Sequence, residues 1–412
     1  MTQPPPPRSA DLRALVGSSA YRRLFVARLI SNFGNGIAPI ALAFGVLDLP
    51  GAGPTSLSIV LAAQAVPLVI LLPLGGVIAD RVGRARLIGS SDIVLSAVVA
   101  VMALLFWTDQ ATVPLLVGLS IISGCLNALW YPAFTGLLPE VVQDEHLKTG
   151  NAVVSIASNG GLIMGAAAGG LLVSLAGPGL AIAVDAISFL VAGALVLSFR
   201  HLSTPGIASG ESTFDDLVHG WRTFTSYRWV VVIVAAASLM IMVWRGAEEV
   251  MGPVLAREGY SGPASWSTVL AAQAAGLLIG GLIASLARVR RPLVVGLLAS
   301  LTLPAWLANM ALQLPLPLIA VGSFAFGIGL ELFYVLWITA LQQNVPRDAL
   351  SRVSSYDAMG SLMLGPIGLA ISGPMIAALG LTESLSIFAI LALVSIVAPL
   401  TARSVRALRA QS

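Results

Sequence analysis

A few charged residues stand inside the long apolar runs of this 412-residue chain, and its chemistry should lie with them. Glu331 sits between Leu330 and Leu332-Phe333, about 15 residues into its run. At about 1.5 Å per residue that is roughly 22 Å from the outer end of a helix. A charge at bilayer depth costs about 2.5–3.5 kcal/mol on mild scales, so each one calls for a function or a partner. An isolated carboxylate there suits a proton carrier, or else makes a structural hydrogen bond across the bundle. Glu248 and Glu249 follow Arg245 by three and four residues, on one helix face. They form either a self-neutralising pair or an acidic entry for protons or cationic substrates. Asp185 either titrates with them or ties its helix to a neighbour. Asp92 and Asp357, near the inner ends of their runs, read as gate residues. Arg28, near an inner end, snorkels or pairs with an acid, and Asn32 and Asn35 follow it in the same run. Trp130, Tyr131, Trp244, Phe333, Tyr334 and Trp337 either line a central cavity or pack helices and face lipid. Flat rings in a cavity suit a large apolar ligand, with cation–π attraction if it is charged.

The elements that position these groups follow from composition. The chain is 57% apolar and 10% charged, with a mean hydropathy of +0.92. An ordinary soluble domain carries about 25% charge, so a polytopic membrane protein is expected. Cys125 is the only cysteine, which excludes an intrachain disulfide or a cysteine-rich metal site. His146, His201 and His219 all lie in polar connections. Lys148, the only lysine, follows Leu147 and not a glycine, so no phosphate-binding loop is present. ATP-driven pumping, nucleic-acid binding and retinal-type chemistry are therefore not expected, nor are an enzyme, a cofactor or a metal.

Apolar runs fall near 24–47, 56–79, 87–107, 113–137, 152–176 and 179–199, then 229–250, 266–287, 293–312, 316–341, 353–378 and 384–402. Each suffices for one crossing of about 20 residues. With both termini in the cytoplasm, all but Arg28, Arg245 and Arg257 of the 22 basic residues fall in cytoplasmic segments, as the positive-inside rule requires. The expected organisation is a cytoplasmic tail (1–23), a six-helix bundle (24–199), a linker (200–228), a second bundle (229–403) and a tail (404–412). No small-residue cleavage site follows an apolar core near the N-terminus, so the first run is expected to stay as a span.

The halves resemble each other. Leu147, Gly165 and Gly170 match Leu350, Gly368 and Gly373 at an offset of about 203, and Pro139 pairs with Pro346. Repeated six-helix halves are typical of secondary transporters, which bind substrate between the repeats. In the linker, Phe214, Leu217, Val218, Trp221 and Phe224 recur at helical steps. That pattern suggests an amphipathic helix on the membrane surface, the alternative being a plain linker.

Between the second and third runs stands Gly76-Val-Ile-Ala-Asp80-Arg81-Val-Gly83-Arg84-Ala-Arg86. It resembles the signature loop of the major facilitator superfamily, G-x-x-x-D-R/K-x-G-R/K. Gly161-x-x-x-Gly165-Ala166-x-x-Gly169-Gly170 is similar to the antiporter motif of drug:proton exporters, with Ala166 where that motif has proline. The same glycines also read as tight helix packing. Tyr21 to Arg28, Asp185-Ala-x-Ser188-Phe189 and Gln342-x-x-Val345-Pro346 resemble the macrolide-efflux and enterobactin-exporter branch.

The resemblance implies an all-α membrane protein of the major facilitator fold, with twelve helices in two pseudo-symmetric bundles, in the cell (inner) membrane. It implies a monomer that moves an amphipathic drug, antibiotic or siderophore-like metabolite outward in exchange for protons. Glu331, Asp185, Glu248 and Glu249 would carry protons. Asn32, Asn35, Trp130, Tyr131, Trp244, Arg245, Phe333 and Tyr334 would line the substrate cavity. Gly76, Asp80, Arg81, Gly83, Arg84, Asp92 and Asp357 would form the gate. Relatives often carry an acid in helix 1 and an arginine in helix 4; here Asn35 and the arginine-free stretch 115–132 stand instead. An importer, a lipid flippase or a non-transporting sensor could use the same fold.

Overall fold

The computed structural model describes residues 8–202, 213–287 and 289–409. Among these, eleven helices are long and apolar enough to cross a membrane. One of them, Leu147–Leu197, runs for 51 residues. That is about 77 Å at 1.5 Å per residue, more than twice a hydrocarbon core of about 30 Å. It breaks where the sequence predicts two runs, at Gly177 (φ 78°, ψ 171°) followed by Pro178. Only glycine takes that conformation without strain. The helix is therefore long enough for two crossings, which makes twelve candidate spans among the described residues.

We number the crossings α1 (Ser19–Leu47), α2 (Pro54–Val82), α3 (Arg84–Trp107), α4 (Val113–Val141), α5 (147–176) and α6 (178–197). α7 comprises Arg228–Gly246, a π-helical turn at Ala247–Met251 and Gly252–Gly259. α8 is Pro263–Leu286, and α9 is the pair Pro292–Ala299 and Thr302–Ala311. α10 is Leu316–Asn344, α11 the pair Arg347–Leu362 and Gly365–Leu379, and α12 Leu381–Thr401. Prolines open α8 and α9, where a missing N–H leaves no intrahelical bond unmade.

By contacts between Cα atoms the chain forms two compact units. One comprises Met1–Gly45 with Ala63–Ser209, the other Val46–Ala62 with Gly210–Ser412. In a bilayer no hydrophobic effect drives helices together, so close backbone approach at small residues must serve. In the first unit, a Cβ on Gly165 or Gly161 of α5 would overlap the carbonyl oxygens of Phe33 and Leu29 on α1. In the second, a Cβ on Gly368 of α11 would overlap the Met242 carbonyl of α7. Gly165 and Gly368 are matched positions of the sequence repeat. The α2–α4 and α8–α10 crossings repeat the device: Gly124 abuts the Gln64 carbonyl, and Gly327 abuts the Gln273 carbonyl. Both glutamines sit in the same pentapeptide, Leu61-Ala-Ala-Gln64-Ala65 and Leu270-Ala-Ala-Gln273-Ala274.

The linker contains a helix, Thr213–Ser226. Phe224 is buried, Gly220 lies against Tyr356 of α11, and the Trp221 and Phe224 rings stand 5.7 and 5.8 Å from the Tyr356 ring. Side chains 213–219, including Phe214, Leu217 and Val218, lie outside the described residues.

Candidate functional site

The turn between α2 and α3 takes its shape from Gly83, whose φ of 93° lies in the region that favours glycine. Arg84 then points back at α4. Its Nη1 donates to the Gly136 carbonyl at 2.9 Å and pairs with Glu140 Oε1 at 3.1 Å. Arg81 is exposed, while the side chains of Gly76 and Asp80 lie outside the described residues. The second Glu140 oxygen is buried without a hydrogen-bond partner, so Arg84 holds the only counter-charge this carboxylate meets among the described residues. Arg84→Ala should destabilise the protein by about 1–2 kcal/mol, since removing one member of a partly buried pair strands the other. Thermal unfolding in detergent checks this, and Glu140→Gln on top of Arg84→Ala should recover part of the loss.

In the second unit the acidic pair of α7 lies on the π-helical turn, a feature frequent at functional sites. The two glutamates divide their partners. Arg245 Nε and Nη2 donate to Glu249 at 2.6 and 3.1 Å, a bidentate pair. Glu248 instead accepts the Trp244 indole N–H at 2.6 Å, with Gln273 of α8 beside it. Trp244 is held edge-on to Phe326 at 5.8 Å, and Phe326 stacks on fully buried Trp306 at 5.2 Å. Gln273 reaches on to Ser323 of α10 at 3.4 Å. Glu248 is thus tied into a polar seam between α7, α8 and α10 and is not half of a surface pair. Sequence reading missed Gln273, although its repeated pentapeptide marks it.

Glu331 occupies a notch on α8 cut by two glycines. Its Cβ lies 2.9 Å from where a Gly280 Cβ would stand, and its Oε1 3.8 Å from where a Gly281 Cβ would. No hydrogen bond or ion pair to Glu331 is present among the described residues. Phe333 is buried, Tyr334 is exposed, and Trp337 donates its indole N–H to Asp357 at 3.0 Å. Ser361 also donates to Asp357, at 3.3 Å.

In the first unit Asp185 is buried on α6, where a Cβ on Gly34 of α1 would overlap it; Ser188, one turn on, donates to its carbonyl at 2.8 Å. No cation contacts it among the described residues. Asn32 Nδ2 donates to the Arg28 carbonyl of its own helix at 2.8 Å, and Asn35 is half-buried. Asp92 is buried on α3, facing a cavity that Arg28 and Trp130 also line. The Tyr131 side chain lies outside the described residues. In the antiporter-like stripe, α5 stays helical through Ala166. Gly161, Gly165, Gly169 and Gly170 are all buried, and the nearest atoms to a Cβ on Gly169 would be the Ile40 side chain at 3.0 Å and the Ile37 backbone at 3.2 Å.

The profile of the Major Facilitator Superfamily matches residues 24–361. The "Multidrug efflux pump Tap" of Mycolicibacterium fortuitum is 27% identical over 369 residues, 87% of this chain and 89% of that protein. The "Uncharacterized MFS-type transporter y4rN" of Sinorhizobium fredii is 26% identical over 352 residues, 83% and 84% of the two chains. Among solved structures, a point mutant of the nucleoside transporter NupG superposes with a TM-score of 0.76 at 13% identity, covering 92% of this chain and 98% of that one. A POT family transporter in complex with a thioalcohol-conjugated peptide gives 0.72 at 14% identity over 92% and 95%. At such identities the structures show the shared fold alone.

Proposed function

The chain belongs to the major facilitator superfamily, a family of membrane transporters and not of enzymes, and on that premise we propose that it exports an amphipathic small molecule in exchange for protons. The observation that carries export is the likeness, along nearly the whole of both chains, to a multidrug efflux pump. The antiporter-like glycines of α5 and the similarity to macrolide-efflux and enterobactin-exporter proteins agree with it. In this reading the protein sits in the cell membrane with both termini cytoplasmic and works as a monomer. The bundles 24–199 and 229–403 alternate access around one site, joined by the linker. Glu331 carries the coupled proton, with Glu248, Glu249 and Asp185 in support, and a drug, antibiotic or siderophore-like metabolite is the cargo. Trp244 and Arg245 stand beside the proton-carrying acids and would meet the substrate. Asp80, Arg81, Gly83 and Arg84 act as mechanical parts of the cytoplasmic gate.

Accumulation in cells tests export directly. A pump-deficient bacterium expressing the protein should hold several-fold less of at least one macrolide, dye or siderophore. An uncoupler that collapses the proton gradient should restore accumulation to that of cells without the protein. Lowered accumulation that survives the uncoupler would contradict proton coupling, and raised accumulation would make the protein an importer.

A further inference from the structure

One end of the second unit gathers arginines without an acid. Successive crossings alternate in direction, so the start of α7, the turn from α8 to α9 and the end of α12 share that end. Arg228 opens α7, Arg290 and Arg291 precede α9, and Arg403 and Arg406 lie on a short helical turn after α12. That turn packs against α7 and the first segment of α9, and its Val405 is fully buried. All five arginines are exposed. Arg406 Nη2 donates to the Thr401 carbonyl at 3.2 Å, but no carboxylate pairs with any of the five among the described residues. In the first unit, by contrast, Arg84 has Glu140 as its counter-charge.

The sequence leaves little else to neutralise them, since no Asp or Glu occurs in 217–247, 259–330 or 384–412. The positive-inside rule accounts for the sign of these charges. It does not require five of them to converge from three separate segments with no counter-ion. Two features set the depth and kind of the missing anion. Tyr227 and Trp229, both half-buried, flank Arg228, and such amphipathic rings sit at the level of lipid head groups. Within the next two turns, Val295 and Leu298 of α9 and Val394 and Val397 of α12 are exposed, on crossings that pack together. A cationic rim above an apolar flank matches a lipid, with phosphate at the rim and chains along the flank.

We propose that Arg228, Arg290, Arg291, Arg403 and Arg406 form a binding surface for the head group of an anionic phospholipid, whose chains lie along α9 and α12. A guanidinium fork takes two phosphate oxygens at once, which a zwitterionic head group offers only against its own ammonium. A head with two phosphates engages more of the five arginines than a head with one. The inference rests on the chain crossing a bilayer. It needs neither export nor proton coupling, so its failure would leave both untouched.

The test is native mass spectrometry of the full-length protein in detergent, titrated with cardiolipin, phosphatidylglycerol or phosphatidylcholine of one chain length. A basic residue at the head-group surface contributes about fivefold in affinity. The wild type should therefore bind phosphatidylglycerol at least about fivefold more tightly than phosphatidylcholine, and cardiolipin more tightly still. Arg403→Gln with Arg406→Gln should bring phosphatidylglycerol close to phosphatidylcholine. Arg22→Gln with Arg200→Gln, the same change of charge on exposed side chains of the first unit, should leave the preference intact. Equal binding of the two lipids by the wild type, or equal losses in both double variants, would overturn the proposal. So would displacement of the lipid by an equal concentration of inorganic phosphate, which would make the cluster a site for a free anion. Should the Arg403–Arg406 variant fail to fold, Arg290→Gln with Arg291→Gln decides alone, and an unchanged preference there would contradict a surface shared between α9 and α12.

Discussion

Glu331→Gln is expected to remove substrate-evoked proton movement, by at least tenfold in reconstituted vesicles, while leaving the folded protein intact. Glutamine has the shape of glutamate and keeps the packing against the Gly280–Gly281 notch of α8. It cannot take up or release a proton. Because Glu331 has no hydrogen bond or ion pair to lose among the described residues, thermal unfolding of the variant should match the wild type. Glu248 differs in this respect: its carboxylate accepts the Trp244 N–H at 2.6 Å, so Glu248→Gln changes both charge and a held geometry. A Glu331→Gln protein with wild-type proton flux would move the coupling to Glu248, and Glu248→Gln would then carry the loss.

The second large effect belongs to α5. Gly165→Leu should abolish accumulation of folded protein, or lower its unfolding temperature by many degrees. The added side chain must start where the Phe33 carbonyl already stands, and backbone cannot step aside without parting α1 from α5. Overpacking a well-filled site costs about 1–3 kcal/mol, and more where the obstacle is backbone. Gly160 supplies the control within the same helix, since a Cβ there meets nothing within 4 Å. Size-exclusion profiles of Gly165→Leu and Gly160→Leu in detergent separate the cases: aggregation of the first with a monodisperse second is the expected result. Equal behaviour would make the stripe a feature of transport and not of packing.

The twelve crossings were legible because apolar length is a coarse signal that local detail does not blur. The break at Gly177 lay where two runs met, even though backbone hydrogen bonding makes one helix of 51 residues. What periodicity could not show was which neighbour each charge would choose. From Arg245, both Glu248 and Glu249 are adequate helical partners, and the sequence favours neither. The π-helical turn, which carries no compositional mark, leaves Glu249 to the arginine and Glu248 to an indole N–H. Asp357 finds Trp337 across 20 residues and Arg84 finds Glu140 across 56, pairings that only the crossing of helices decides. Arg28 was expected to snorkel or meet an acid. Its cation–π seat depends on the Trp130–Phe134 stack, which the i, i+4 spacing allows but does not require. Gln273 was within reach of the sequence, since Leu-Ala-Ala-Gln-Ala occurs in both halves, yet five residues are a faint repeat beside the long glycine-rich ones.

Proton flux through the wild-type protein in sealed proteoliposomes tests the central claim most directly. Under an imposed pH gradient, with an interior dye reporting pH, addition of a transported macrolide, dye or siderophore should discharge the gradient within seconds to minutes, and empty vesicles should hold it. Substrate movement measured in the same vesicles with no change in the pH signal would contradict proton exchange as the driving reaction.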